Sequence, residues 1–120
     1  MITKNSYRWY HYGKLHRTVL DKEGRQKPAI ICSKGSRRYY INGKLHRNPD
    51  PDGTQPPAVI DVRGTRKWYY KGKKHRIDAP AVVYKNGDYE WYKNGKLDRV
   101  DDGPAIYYTD PKNIAQWSIR

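Results

Sequence analysis

The chain has 120 residues, enough for one domain and too few for two, and carries 25 Lys and Arg against 12 Asp and Glu, a net charge of +13. Only 36% of it is hydrophobic, Phe is absent and there is a single cysteine. That composition excludes a thick-cored globule, an internal disulfide framework and a cysteine-ligated zinc site, and no apolar run nears the roughly 18 residues of a membrane helix.

The basic excess favours polyanionic partners: nucleic acid, phosphate ligands or an acidic surface. Twelve Tyr and four Trp offset the low hydrophobic content, because each buried aromatic removes about 150–250 Å² from water. A thin architecture of stacked aromatics is therefore expected. The lone Cys32 suits a reducing compartment, and the opening "MITKNSYRWYHYGK" lacks the apolar core of a signal peptide. A cytoplasmic protein without membrane partner or cofactor is expected.

Taken in chain order, one pattern recurs four times: "WYHYGKLHRT" (9–18), "YYINGKLHRN" (39–48), "WYYKGKKHRI" (68–77) and "WYKNGKLDRV" (91–100). A degenerate fifth start falls at Trp117, and the intervals between starts are 30, 29, 23 and 26 residues. The irregularity has one location, between the His-Arg pair and the next Pro-Ala, so residues 18–27 and 48–56 read as loop insertions. The unit at 80–99 is the clearest. Pro80 opens a strand over Ala81–Tyr84, Asn86-Gly87 turns, Tyr89–Tyr92 forms a second strand, and Asn94-Gly95 turns into Lys96–Arg99. Asn-Gly between β-rich runs is a strong hairpin signal, because both residues tolerate positive φ. No stretch keeps a 3.6-residue period.

The expected fold is all-β: an antiparallel meander of stacked β-hairpin repeats, a solenoid-like open sheet with essentially no helix. The repeats run over about 9–38, 39–67, 68–90 and 91–116 of one 1–120 domain, and the "WSIR" end caps the stack. Charged and Pro-interrupted ends ("MITKNSYR", "YTDPKN") protect the sheet edges of a monomer, and a homodimer paired through one edge is the alternative.

The recurring pattern resembles the MORN-variant hairpin-repeat proteins of bacteria, bacteriophages and large DNA viruses. It rests on Trp9-Tyr10, Gly13 to Arg17 and Pro28-Ala29, on Tyr39-Tyr40, Asn42 to Arg47 and Pro57-Ala58, on Trp68-Tyr69, Gly72 to Arg76 and Pro80-Ala81, and on Trp91-Tyr92, Asn94 to Arg99 and Gly103-Pro104-Ala105. The resemblance implies a hairpin-repeat scaffold of phage or bacterial type. It does not imply a function, since such scaffolds serve many contacts.

His16, His46 and His75 invite a metal reading, but a two-strand repeat advances about 10 Å, too far for ligands of one zinc ion at about 2.0–2.2 Å. No carboxylate, Ser or Cys recurs beside the histidines, so an enzyme is not expected. A metal-independent nuclease or cyclic-nucleotide hydrolase using His46 or His75 is the weakest reading. The His16-Arg17, His46-Arg47 and His75-Arg76 pairs either meet ligand or build the stack. In the latter case each Arg stacks on an aromatic of the neighbouring repeat and each His bonds a loop carbonyl.

Charge is uneven. Residues 1–76 carry 19 basic against 5 acidic residues, a net +14, and residues 77–120 carry 6 against 7, a net −1. "KNSYRWY" (4–10), "KGSRRYY" (34–40) and "RGTRKWY" (63–69) share a basic residue, Gly or Asn, a hydroxyl residue and a second basic residue before the aromatic pair; "NGDYEWY" (86–92) has Asp88 and Glu90 instead. Such turns can form anion-binding nests. The expected phosphate-binding residues are Lys4, Arg8, Lys34, Ser36, Arg37, Arg38, Arg63, Thr65, Arg66, Lys67, Lys73 and Lys74. The function expected is a small basic binding protein for nucleic acid or another phosphate-rich ligand through repeats one to three. In a phage it would inhibit a host nucleoprotein or defence system. The alternative is an interaction module that docks an acidic protein, with loops 18–27 and 48–56 setting specificity.

Overall fold

The computed structural model describes residues 6–109, so Lys4 and the "WSIR" end lie outside it. Among the described residues there is no helix, and the chain is an antiparallel meander of short hairpins. Eight strands form one sheet in the order β1 (Ser6–Arg8), β4 (Ile30–Cys32), β5 (Arg37–Arg38), β8 (Val59–Ile60), β9 (Arg66–Lys67), β12 (Val82–Val83), β13 (Tyr89–Glu90), β16 (Ile106–Tyr107). Four small hairpins stand beside it. They are β2 (Tyr10–His11) with β3 (Lys14–Leu15), β6 (Tyr40–Ile41) with β7 (Lys44–Leu45), β10 (Tyr69–Tyr70) with β11 (Lys73–Lys74), and β14 (Tyr92–Lys93) with β15 (Lys96–Leu97).

The strand expected over Tyr89–Tyr92 is thus two strands in two sheets, divided at Trp91. The cause is how the aromatic residue bonds. Its N–H donates to the carbonyl of Ala105, just before β16 of the large sheet (2.7 Å), while its carbonyl accepts the N–H of Asp98, just after β15 of its own hairpin (3.1 Å). Trp9, Tyr39 and Trp68 do the same with Ala29 and His16, Ala58 and His46, and Ala81 and His75. Each aromatic is a corner where the chain changes sheet.

That corner is the core. Ala29, Ala58 and Ala81 are at most 1% exposed, and Tyr39, Trp68 and Trp91 are buried. A methyl leaves room for the neighbouring ring, which is why every aromatic start is answered by a Pro-Ala. The arginine closes the unit. Arg17, Arg47, Arg76 and Arg99 lie over Trp9, Tyr39, Trp68 and Trp91 with the guanidinium carbon 3.6, 3.9, 3.7 and 4.4 Å from the ring centroid. Each also donates from Nη1 to a proline carbonyl, of Pro28, Pro57, Pro80 and Pro104, at 3.0–3.2 Å. The ring stacked is that of the arginine's own repeat, not of the neighbour expected from the sequence. The hairpin returns the chain to its own corner within eight residues, before the next repeat begins.

Neighbouring hairpins are joined by the histidines. Nδ1 of His16, His46 and His75 accepts the backbone N–H of Asn42, Lys71 and Asn94 at 2.9, 3.0 and 3.0 Å. The bond expected to a loop carbonyl is instead made to the next repeat's turn. Those turns place both central residues at positive φ, for example Asn42 at 50° and Gly43 at 81°, a geometry that aims the first residue's N–H outward. The loop insertions are pinned as well. The buried Gln26 donates to the Arg17 carbonyl (3.1 Å) and accepts the Asn48 N–H (2.8 Å), and Gln55 donates to the Arg47 carbonyl (2.7 Å).

Candidate nucleic-acid interface

Register separates the basic residues that sequence grouped together. One row across the large sheet reads Arg8, Ile30, Arg38, Val59, Lys67, Val82, Glu90, Ile106. The next row reads Tyr7, Ile31, Arg37, Ile60, Arg66, Val83, Tyr89, Tyr107. Successive side chains point to opposite faces. Arg37 and Arg66 therefore share one face, while Arg8, Arg38 and Lys67 share the other. The single strip expected from the "SRR" and "TRK" stretches is two strips, one with three cations and the other with two.

Of the turns that precede these strands, the one at 61–65 is not an anion nest. In the turn at 61–65 every N–H is already bonded. Asp61 and Gly64 donate within the turn (to the carbonyls of Thr65 and Asp61), the Asp61 carboxylate takes Arg63 and Thr65, and Val62 donates to Ser36 Oγ at 3.0 Å. Ser36 thus serves as an acceptor that ties one turn to the next. Asp88 does the same for Thr109, accepting from its N–H and its hydroxyl at 2.8 Å each. The hydroxyl-to-Asp change in repeat four alters the linker between turns, and a carboxylate fills that role. Lys34 and Arg63 remain exposed at these turns.

The hairpins carry a third basic row, which sequence could not place. Cross-strand pairs put His11 and Lys14, Ile41 and Lys44, Tyr70 and Lys73, and Lys93 and Lys96 on one face. All but Ile41 of these are exposed. The stems of Lys14, Lys44 and Lys73 lie against the glycine of the next turn, Gly43, Gly72 and Gly95, with contacts of 3.5 to 3.8 Å to the position a Cβ would take. Repetition of this contact aligns one ammonium group per repeat, about 10 Å apart for a two-strand step. No acidic residue belongs to the row. Lys74, by contrast, faces the other way, its ammonium 4.6 Å from the centroid of the Tyr92 ring in the next repeat. Its ammonium group is engaged in a contact between repeats, whereas Lys73 joins repeats through its stem and is exposed.

Aromatic rings interleave with the lysines. Tyr70 lies between His46 and His75, with ring centroids 5.0 and 5.8 Å away. Beside them, between the first three hairpins, is an open groove of about 630 Å³ lined by Lys14, Asn42, Lys44, His46, Asn48 and Lys71. Among the described residues no three His, Cys, Asp or Glu side chains converge as metal ligands would. Comparison of the chain with family models, curated proteins and solved structures finds no match. The interface therefore rests on its own geometry.

The histidine joints carry a pH dependence. Burial, followed by the charge of Lys71, holds His46 below the usual imidazole range against an opposing bond with Asn48. Its Nδ1 must also stay unprotonated to accept from Lys71. A lowered folded value means that the unfolded chain binds the proton more readily. The contribution of His46 is then complete above about pH 6.5 and is lost as pH falls through the folded value. Urea midpoints at pH 7.5 and pH 5 should differ accordingly. His46→Asn, which keeps an acceptor at the same distance from Cα but does not titrate, should flatten that difference.

Proposed function

We propose that the chain is a non-enzymatic binding protein for phosphate-rich polymers, nucleic acid foremost, and that the exposed hairpin row is its contact surface. The observation that carries this reading is the alignment of Lys14, Lys44 and Lys73 on successive turns, with no acid in the row and Tyr70 among the cations. A repeat of about 10 Å matches about three phosphates of an extended strand, at about 3.4 Å per phosphate. Regular backbone contacts without base-reading groups give affinity with little sequence preference. Exposed rings add a preference for unpaired bases, which can stack on them. In the phage setting implied by the repeat pattern, the bound polymer belongs to a host nucleoprotein or defence complex.

Binding of the purified chain to labelled single- and double-stranded DNA and RNA at 50 and 200 mM salt tests this. Affinity should drop by orders of magnitude over that interval, by roughly 10³ or more if six or more phosphates are contacted. The triple change Lys14→Glu, Lys44→Glu, Lys73→Glu should abolish binding. Arg37→Glu with Arg66→Glu, on a separate surface, should weaken it less. Equal loss from both sets would move the interface to the large sheet. No binding of any nucleic acid at 50 mM salt would sink the reading and favour an acidic protein partner.

A further inference from the structure

The three joints between hairpins use one set of contacts. The histidine Nδ1 accepts the N–H of the first turn residue. The carbonyl of the residue before the histidine, Leu15, Leu45 or Lys74, accepts the N–H of the turn glycine, Gly43, Gly72 or Gly95, at 2.8 Å each time. At the first hairpin the equivalent donors are the N–H groups of Tyr12 and Gly13, and neither has an acceptor among the described residues. At the fourth hairpin the equivalent acceptors are the Leu97 carbonyl and the side chain of residue 98, and neither has a donor among the described residues.

Residue 98 is the one place where the recurring histidine is replaced, and its replacement is still an acceptor. The Oδ of Asp98 stands two bonds beyond Cβ, as the Nδ1 of a histidine does. The side chains at the two ends agree. Leu97 is 44% exposed, whereas Leu15 and Leu45 are half-buried under the next hairpin. Tyr10 is 57% exposed, whereas its counterparts Tyr40, Tyr69 and Tyr92 are half-buried against the preceding one. Charge is complementary too. The fourth repeat ends in Asp98, Asp101 and Asp102, and the chain's positive excess lies entirely in residues 1–76.

We propose that the two ends are the halves of a fourth joint, made with a second copy of this chain. Asp98 of one copy accepts the Tyr12 N–H of the next, and the Leu97 carbonyl accepts the Gly13 N–H. Leu97 and Tyr10 are covered in the process. The contact is heterologous, head to tail, so it propagates into open chains of molecules. It also continues the lysine row from Lys96 of one copy to Lys14 of the next. A carboxylate suits an intermolecular joint better than an imidazole, because it bonds N–H groups more strongly and faces a basic partner surface.

Sedimentation velocity of the full chain without nucleic acid, from about 10 µM to about 1 mM at low salt, tests the proposal apart from polymer binding. The mass should rise with concentration. Asp98→Lys and Tyr12→Asp, each alone, should lower the association constant by at least about tenfold. Tyr12 is 92% exposed, and Asp tolerates its positive φ, so both variants should keep the circular-dichroism spectrum of the parent. An equimolar mixture of the two should associate again, because the intact tail of one meets the intact head of the other. A two-fold symmetric dimer would differ in the parent chain, whose mass would stop at twice that of one copy. A parent chain that stays monomeric throughout, a variant without effect, or absence of rescue would each overturn the proposal.

Discussion

Trp68→Ala should cost about 3–5 kcal/mol of folding stability, the largest loss for any single truncation of a corner aromatic. The indole is 5% exposed, and its Nε1 donates to the Gln55 carbonyl at 2.7 Å. Truncation removes the ring beneath Arg76, leaves the Gln55 carbonyl without its partner and opens space beside Ala81, which is fully buried. Small domains are stable by only about 5–15 kcal/mol, so roughly a fifth or more would go. Trp68→Tyr should cost far less, about 1–2 kcal/mol, because Tyr39 already fills the equivalent corner under Arg47. Arg76→Lys should fall between them: an ammonium cannot lie flat on the ring and reach the Pro80 carbonyl at once. Urea midpoints of the three variants check the order. A loss below about 1 kcal/mol for Trp68→Ala would mean that the corner is not the unit of stability.

Much of this architecture is legible in the sequence because turn chemistry is local. Asn42-Gly43 and Asn94-Gly95 announce their turns by residue type, and the repeat carries the same assignment to Tyr12-Gly13 and Lys71-Gly72, where the type alone does not. The co-occurrence of WY, HR and PA is legible as a pattern but not as a mechanism, since the Arg–ring–proline contact spans from 4 to 11 residues between arginine and proline. Register was the hidden quantity. Arg37 and Arg38 are neighbours in sequence and lie on opposite faces, because one step along a strand reverses the side chain. The lysine row was visible as a recurring Gly-Lys, but its alignment depends on each stem resting on the next glycine, a contact between repeats. The fourth copy misled in another way. Asp88 and Glu90 read as a loss of anion-binding chemistry, yet both are buried and bonded. Their acidity serves the interior of that repeat.

Glu90→Ala should therefore destabilise the chain by about 3 kcal/mol or more, although the position corresponds to the exposed Arg38 two repeats earlier. The Glu90 carboxylate is 7% exposed and accepts from three phenols: Tyr84 at 2.9 Å, Tyr92 at 3.0 Å and Tyr108 through a short bond. Alanine would leave three hydroxyls without their acceptor, that of Tyr108 buried and those of Tyr84 and Tyr92 partly so. The same cluster sets an alkaline limit. Burial first, then the negative charge of Glu90, pushes Tyr92 up to about 12 and raises Tyr84 and Tyr108 further. A phenol raised in the folded state holds its proton where the unfolded chain has lost it, so its contribution is complete below about pH 10 and is lost as pH rises through the folded value. Stability should fall from pH 10 to pH 12 in the parent chain. Glu90→Gln keeps the shape and one carbonyl acceptor but removes the charge, so it should cost less than alanine and fall less steeply with pH. A parent chain as stable at pH 12 as at pH 9 would show that the three phenols do not depend on this carboxylate. The acid at position 90 would then need another explanation.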